Sequence, residues 1–584
     1  FTTMTSEIHE AVFASPTVAP GRRWSSDARS QVIQFSIFAA TLLAVIGPLV
    51  PIFYQSFIDR PLYASEQKLT LQNYVNLSAD PTFLNVVFNT VAFAVLSTLV
   101  AQVAGVAFAV LVGRTDMPGR KLVGGLVLWP LFLSPLLLSM GWFILYGPAG
   151  YISMLVMTSL GSSVWNLYSL VGMALVAGVA QAPVTVLYCL SSAALADSRM
   201  EDAARSVGAG PWRTLRHVTL PMLTPAILFS GVLNFMNALE SLSIPLIFGQ
   251  PAGIKLFMTY IYDEAFAGTR PNYGIIGASA TVLLAVIAAL IWLQKKLLGD
   301  PRRFNSVSGK AGRVSVLRLA GWRWPAFGIA MAYLVFLVLL PLGAVVLRAF
   351  VPFLSPLVSF WSMLTLDNFE PLLASTAALR PITNTILIAL IAAVLGTAFT
   401  GLVSLVATRS AFRRRRMLEY VALFPRAVPG MIAGIGILYI LLFVPAVGWL
   451  RNSIWIIILA YVARALPTGL GAISPALTKI SPDLDRAVRV AGGDWWTSMR
   501  VAVFKLMTPA LFASFALMFI AFTKEYSTAI FLVAPGSEVL GVSILQAWNQ
   551  GAAGVASALA TVQIALLIAF LVIAQKVLKV RIYG

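Results

Sequence analysis

Residues 197–221 read Asp197-Ser-Arg-Met-Glu-Asp-Ala-Ala-Arg-Ser-Val-Gly-Ala-Gly-Pro-Trp-Arg-Thr-Leu-Arg-His-Val-Thr-Leu-Pro221, a polar stretch between long apolar ones. Ser198 followed three residues later by Glu201 is a capping box, which predicts a helix start there. Ala203 and Ala204 keep one face of that helix small, Gly208 to Pro211 ends it, and a second short amphipathic helix is expected from Trp212. The pattern predicts a helix–turn–helix on a membrane surface, with small residues that let another protein approach the backbone and a glycine corner that protrudes. A second copy runs Ser481-Pro-Asp-Leu-Asp-Arg-Ala-Val-Arg-Val-Ala-Gly492-Gly-Asp-Trp495. Here Ser481 is the expected N-cap, Pro482 takes the first helical position, and the turn glycine and following tryptophan recur. One such stretch reads equally well as an ordinary amphipathic linker. Two at equivalent places in a repeated chain favour a docking element.

The flanking sequence is that of a membrane protein. Of 584 residues, 59% are hydrophobic and 11% charged, with mean hydropathy +0.87. A soluble surface needs far more charge. By the length rule of about 20 apolar residues per span, segments are expected near 33–57, 82–111, 122–146, 167–192, 223–249 and 274–294. Six more are expected near 325–349, 382–407, 417–445, 453–477, 508–533 and 552–576. The glycine- and serine-broken stretch 147–166 reads as an interfacial or re-entrant piece on the outer side.

Lys and Arg number 41 against 22 acidic residues, for a net charge of +19. In a soluble chain this excess suggests nucleic acid. Here the basic residues lie between apolar segments, as the positive-inside rule requires, so the expected partner is the lipid bilayer and not nucleic acid. Arg114, Arg120 and Lys121, the run from Lys295 to Arg323, Arg413 to Arg416, and Lys576 to Arg581 fall on one side if each half has six spans. Both termini are then cytoplasmic. The first 30 residues are polar without an apolar core, so no cleavable signal peptide is expected. With Cys189 alone and only His9 and His217, an intrachain disulfide is excluded and no zinc site is expected.

The two halves repeat. Asn89-Thr90 matches Asn384-Thr385, Arg114 matches Arg409, Pro130 matches Pro425 and Gly141 matches Gly436, all at one offset (409 − 114 = 295). Gly208 matches Gly492 and Pro251 matches Pro535 at an offset of 284, the difference falling at 147–166. An even number of spans per half makes the repeats parallel, related by an axis along the membrane normal. The expected organisation is a cytoplasmic segment 1–32, a first transmembrane repeat 33–294, a basic linker 295–324, and a second repeat 325–584.

The two polar loops resemble the EAA motif of permease subunits of binding-protein-dependent ABC importers. Asp202, Ala203, Ala204 and Gly208 match it, with Asp for the usual Glu, and Pro221 matches its closing proline. In the second copy Ala487 and Gly492 carry over, while Arg486 stands for the acid, Val488 for the second alanine and Lys505 for the proline. The resemblance covers essentially the whole chain. It implies an all-α polytopic membrane protein of about twelve transmembrane helices in two parallel six-helix repeats, with the type I ABC importer transmembrane fold. It also implies that Glu201, Asp202, Ala203, Ala204 and Gly208, with Asp485, Ala487 and Gly492, form coupling helices seated on a homodimeric cytoplasmic ATPase. A periplasmic binding protein would dock on the outer face of the bacterial inner membrane. No Walker A pattern is present, since the only Gly-Lys pair, Gly309-Lys310, lacks the upstream glycine. The chain is therefore expected to be no enzyme and to hold no cofactor itself, with ATP and Mg on the partner ATPase.

Ionisable residues within spans are costly and mark function by default. Glu240 and Glu525 lie 285 apart, one residue from the repeat offset, in the expected fifth spans. Facing one axis, two carboxylates suit a hard cation, so both are expected to line the pathway and to bind a metal transiently. The plainer reading pairs each with Lys524, Arg426 or Arg464. The stretches Pro130–Pro135 and Pro425–Gly430 are expected to break their helices. Leu423-Phe-Pro-Arg-Ala-Val-Pro-Gly430, Ile458 to Arg464, Glu525-Tyr-Ser and Pro535 to Leu540 resemble the fused permeases of ferric iron importers. That resemblance implies ferric iron as cargo; thiamine, aminoethylphosphonate or another small solute is the alternative. An ion-coupled secondary transporter would more often show inverted repeats, and neither H-E-x-x-H nor a nucleophile elbow points to an enzyme.

Overall fold

The computed structural model describes residues 20–64, 66–162, 164–195, 199–266, 271–298 and 316–576. Ser198 of the expected capping box and linker residues 299–315 lie outside them. Among the described residues the chain is helical, with only isolated bridges at Ile58–Leu69 and Thr115–Leu317. Eleven helices among the described residues are long and apolar enough to cross a membrane, or twelve if the pair Arg415–Ala427 and Gly430–Phe443, bent by 107°, is one span.

The first half comprises α1 (Pro20–Ile46), α2 (Leu49–Ser56), α3 (Pro81–Arg114), α4 (Arg120–Val127), α5 (Pro135–Tyr146), α6 (Tyr151–Leu160), α7 (Leu170–Leu195), α8 (Arg199–Ser206), α9 (Leu220–Leu239) and α10 (Tyr273–Leu298). The second comprises α11 (Arg323–Leu334), α12 (Leu340–Ala349), α13 (Thr376–Arg409), α14 (Arg415–Leu423), α15 (Gly430–Phe443), α16 (Ile454–Lys479), α17 (Asp483–Val490), α18 (Phe504–Thr523) and α19 (Ala553–Lys576). Helices α3 and α13 are 34 residues each and start alike. Asp80 accepts from the Thr82 N–H at 2.8 Å, and Ser375, 295 residues on, accepts from Ala378 N–H at 3.2 Å. At 1.5 Å per residue each is roughly 50 Å long, well beyond a hydrocarbon core of about 30 Å. Both therefore protrude, carrying Arg114 and Arg409 to the polar loops.

Three expectations are corrected. The third span is not one helix over 122–146: it breaks at Trp129–Leu131, and the crossing stretch is Pro135–Leu160, which takes in residues 147–160 of the segment expected to be interfacial or re-entrant. The second amphipathic helix of each polar loop is not separate. From Pro211 and from Trp495 it runs through a π turn (Leu215–Thr219, Met499–Val503) into the fifth span. The fifth spans accordingly end early, at Leu239 and Thr523, well before 249 and 533. The breaks expected at the paired prolines are present in both halves.

Each half packs its first span on the other half. Helix α1 lies on α13, α14 and α16, while α11 lies on α4 and α12 on α5. The contacts are closest at the repeated glycines. A Cβ on Gly141 would collide with the Pro341 carbonyl, and one on Gly436 with the Pro48 carbonyl. Pro341 has no N–H, so the carbonyl four residues earlier, Leu337, loses its helical donor. The Trp142 indole supplies one at 3.1 Å, and Tyr146 donates to the Phe336 carbonyl at 2.6 Å. After each first span a repeated asparagine caps the exposed carbonyls. Asn73 donates to Ser56 and Ile58, and Asn368 to Ala349 and Val351, at 2.9–3.1 Å. Overpacking a dense core costs about 1–3 kcal/mol. Gly141→Ala and Gly436→Ala should therefore each lower the melting temperature of the detergent-solubilised protein, while Gly125→Ala, whose Cβ meets nothing within 4 Å, should not. Equal melting of all three would contradict the exchange.

Candidate functional site

Two constellations gather the residues singled out in the sequence. The first lies where the fifth spans end. Glu240 is the C-cap of α9 and Lys524 the C-cap of α18, so the equivalent positions are Glu240 and Lys524 (524 − 240 = 284), with Glu525 one residue further on. Arg464, from α16, sits between the carboxylates. Its Nη2 is 3.1 Å from Glu240 Oε2 and its Nη1 is 2.8 Å from Glu525 Oε1. Glu525 is further fixed by the Thr528 N–H at 3.0 Å, and its own carbonyl accepts from the Tyr461 hydroxyl at 2.9 Å. Lys524 donates to the carbonyl of Leu131 in the broken third span of the other half. Arg426, at the position equivalent to Leu131 (426 − 131 = 295), bears electrostatically on Glu240.

The two carboxylates thus do meet, as the sequence suggested, but on a guanidinium. Glu240 comes from the first half and Arg464 from the second, so one of the two ion pairs crosses between halves and the other does not. The glutamate side chains are 18% and 22% exposed, neither sealed off nor open to bulk solvent. A cation held by both would have to displace Arg464. Among the described residues no cluster of three or more His, Cys, Asp or Glu side chains is placed to hold a metal. The arginine has no counterpart in the first half, where Ala180 takes its place at the offset of 284 that relates α7 to α16.

The second constellation is the pair of polar loops. Arg114 and Glu201 form a fully buried pair at 3.1 Å, 2% and 1% exposed. Arg114 also donates to the Ala193 carbonyl at 2.6 Å, and Thr219 donates to Glu201 at 2.7 Å. In the second half Arg409 pairs with Asp485 at 3.2 Å, Ser498 donates to Asp485 at 3.2 Å, and the Trp495 indole donates to the Arg409 carbonyl at 2.8 Å. Each loop is therefore clamped by the terminal arginine of a 34-residue helix. An acid stands in both copies one position before Asp202 and Arg486, as Glu201 and Asp485. Asp202 instead lies exposed and pairs with Arg205 at 2.5 Å within its own helix, as Asp483 does with Arg486 at 3.1 Å.

The remaining loop residues keep matched settings. Ala203 and Ala487 are exposed, and Ala204 and Val488 half-buried. Gly208 and Gly492 turn with φ of +86° and +85°, a backbone that side chains rarely adopt. Ser481 accepts from the Asp483 N–H at 3.2 Å, but the helix begins one residue later than expected, at Asp483 with Pro482 as its N-cap. The arginine clamp had a signal in sequence, since Arg114 and Arg409 are repeat partners, but nothing there named their acids. Removing one member of a buried pair costs about 3–5 kcal/mol because the other is left charged and unpaired. Arg114→Ala should therefore destabilise the solubilised protein and expose residues 199–208 to protease more than Arg114→Ala/Glu201→Ala does. A double variant as damaged as the sum of both singles would argue against the clamp.

The family model described as binding-protein-dependent transport system inner membrane component matches the chain twice, at residues 82–298 and 401–582. The first match runs from α3 to α10 and the second from within α13 through α19, so each contains one polar loop. The chain is 26% identical to the putative ferric transport system permease protein FbpB 1 of Haemophilus influenzae, over 85% of this chain and 76% of that protein. It is also 26% identical to the ferric transport system permease protein FbpB of Actinobacillus pleuropneumoniae, over 92% of this chain and 76% of that one. The sulfate transport system permease protein CysW of Escherichia coli is 27% identical over 44% of this chain and 82% of its own length, the span of a single half. With two family matches on two structurally equivalent bundles, the chain belongs to the binding-protein-dependent transport system inner membrane components, as a permease carrying two fused copies of the domain.

Proposed function

We propose that this chain forms the translocation pathway of an ATP-driven importer of ferric iron, delivered by a periplasmic binding protein, with both termini in the cytoplasm. The observation that carries the reading is the pair of equivalent loops, each clamped by an arginine to a long spanning helix. Such a clamp lets a push on the loop move a whole half. The ferric transport permeases that this chain resembles along most of its length favour iron as the cargo.

The partner that pushes is a separate homodimeric ATPase, which holds ATP and Mg. Its clefts receive α8 and α17, presenting exposed Ala203 and Ala487 with the corners at Gly208 and Gly492. Closure of the ATPase on ATP draws the loops together, and the clamps pass that motion to α3 and α13. The halves then rock, and of the two ion pairs made by Arg464 the one to Glu240, which crosses between halves, must part. Once Arg464 withdraws, the carboxylates of Glu240 and Glu525 offer hard oxygens to a hard cation moving through. Hydrolysis restores the pairing and resets the pathway.

Gly208→Pro, or Ala203→Trp, should leave ATP hydrolysis running while uptake falls at least tenfold. Coupled uptake at the wild-type rate in both would remove the coupling role. Glu240→Gln/Glu525→Gln should abolish uptake yet still assemble with the ATPase, and unchanged uptake would make the pair purely structural. The decisive assay is ATP-dependent entry of radiolabelled ferric iron into proteoliposomes holding this chain, its ATPase and its binding protein. Hydrolysis that responds to the binding protein without iron entry would keep the class and discard the cargo.

A further inference from the structure

A cleft of about 670 Å³ runs along the second half between α13 and α18, and nothing in the transport reading uses it. Its walls include Ala398, Gly401, Phe504, Met507 and Phe515, and three of its lining residues other than Trp496 are polar. Two of those are already engaged: Thr397 with Met518 Sδ at 3.7 Å and Thr508 with the Phe504 carbonyl at 3.2 Å. The third, Arg500, is exposed and forms no ion pair among the described residues. It stands beside Trp496 at the end nearest the polar loop containing α17. Tryptophan beside a basic side chain is the usual furniture of a membrane–water interface. An apolar slot far larger than the roughly 30 Å³ share of one water, bearing at its tryptophan end a single cation that forms no ion pair among the described residues, matches an acyl chain beneath an anionic headgroup.

The first half is built differently at the same positions. Gln102 stands where Thr397 does and bonds across to Ser230 at 3.2 Å, tying α3 to α9. Val106 replaces Gly401, and Gly231, beneath the Gln102 amide, replaces Phe515. We propose that the cleft between α13 and α18 is a binding site for one anionic phospholipid, with Arg500 contacting its headgroup and Gly401 leaving room for its chain. The proposal does not rest on the transport reading.

The test uses the full chain in nanodiscs of phosphatidylethanolamine with phosphatidylglycerol as the minor component, transferred to mild detergent and examined by native mass spectrometry. The wild type should retain phosphatidylglycerol through delipidation. Ala398→Phe, which fills the cleft from an exposed position, should lose most of it. The equivalent Val103→Phe in the first half, also exposed, should lose none. Arg500→Gln should keep a bound lipid but lower the preference for phosphatidylglycerol about five-fold, the equivalent of about 1 kcal/mol for one basic residue at an anionic surface. Equal retention in Ala398→Phe and wild type would overturn the site. Retained lipid or detergent with no phosphatidylglycerol preference in the wild type would overturn the headgroup assignment.

Discussion

Inside a bilayer a backbone carbonyl that loses its helical donor has no water to turn to. That constraint governs this protein, because its helices break repeatedly and several of the repairs come from the opposite half. Pro341 frees the Leu337 carbonyl and Trp142 of the first half satisfies it. The break after α4 leaves Leu131, and Lys524 of the second half reaches it. Where a span ends within one half, a side chain of that half does the same work, as Asn368 does after α12 and Asn384 does for Gly536 and Glu538. The breaks are thus the points at which two bundles become one molecule. Carbonyls left by the missing turns hold the halves together alongside the ion pair from Arg464 to Glu240.

The same economy explains the centre. Both fifth spans end at equivalent places, but one carries Glu240 there and the other Lys524. A symmetric pair of glutamates on an axis would repel. The chain avoids this by putting a single arginine on one side only, with Ala180 at the matching position. Pseudo-symmetry is kept in the helices and the loop clamps, where it transmits motion, and dropped in the charges, where like would face like.

Much of this was legible in the sequence because membrane spans and repeats leave strong signals. The spans at 82–111, 382–407 and 453–477 differ from α3, α13 and α16 by only a few residues at either end. What escaped was the continuity of helices through polar sequence. The stretch from Trp212 looks like a separate surface helix because Arg213, Arg216 and His217 interrupt its apolar pattern, yet a π turn carries it straight into α9. Repeat offsets identify Arg114 with Arg409, but two acids one residue off the offset of 284 look like partners in sequence, while the position equivalent to Glu240 is Lys524. The motif reading placed the acid at Asp202, while burial selects Glu201. Sequence position alone does not separate two adjacent carboxylates on a helix of which one face is buried. Asn73 and Asn368 also stand 295 apart, and the carbonyls they cap give that match its physical reason.

The exchange of first spans also sets an order of events during synthesis. Helix α1 leaves the ribosome well before its partners α13, α14 and α16, which end as late as Lys479. At about 5–20 residues per second, the intervening chain takes on the order of half a minute to emerge. Throughout that interval α1 has only lipid, or an insertion chaperone, along the face it will later bury. Helices α11 and α12 face no such delay, since α4 and α5 are already in place when they arrive. The two halves, alike once assembled, are therefore unequal in their birth, and the first of them is completed only by the second.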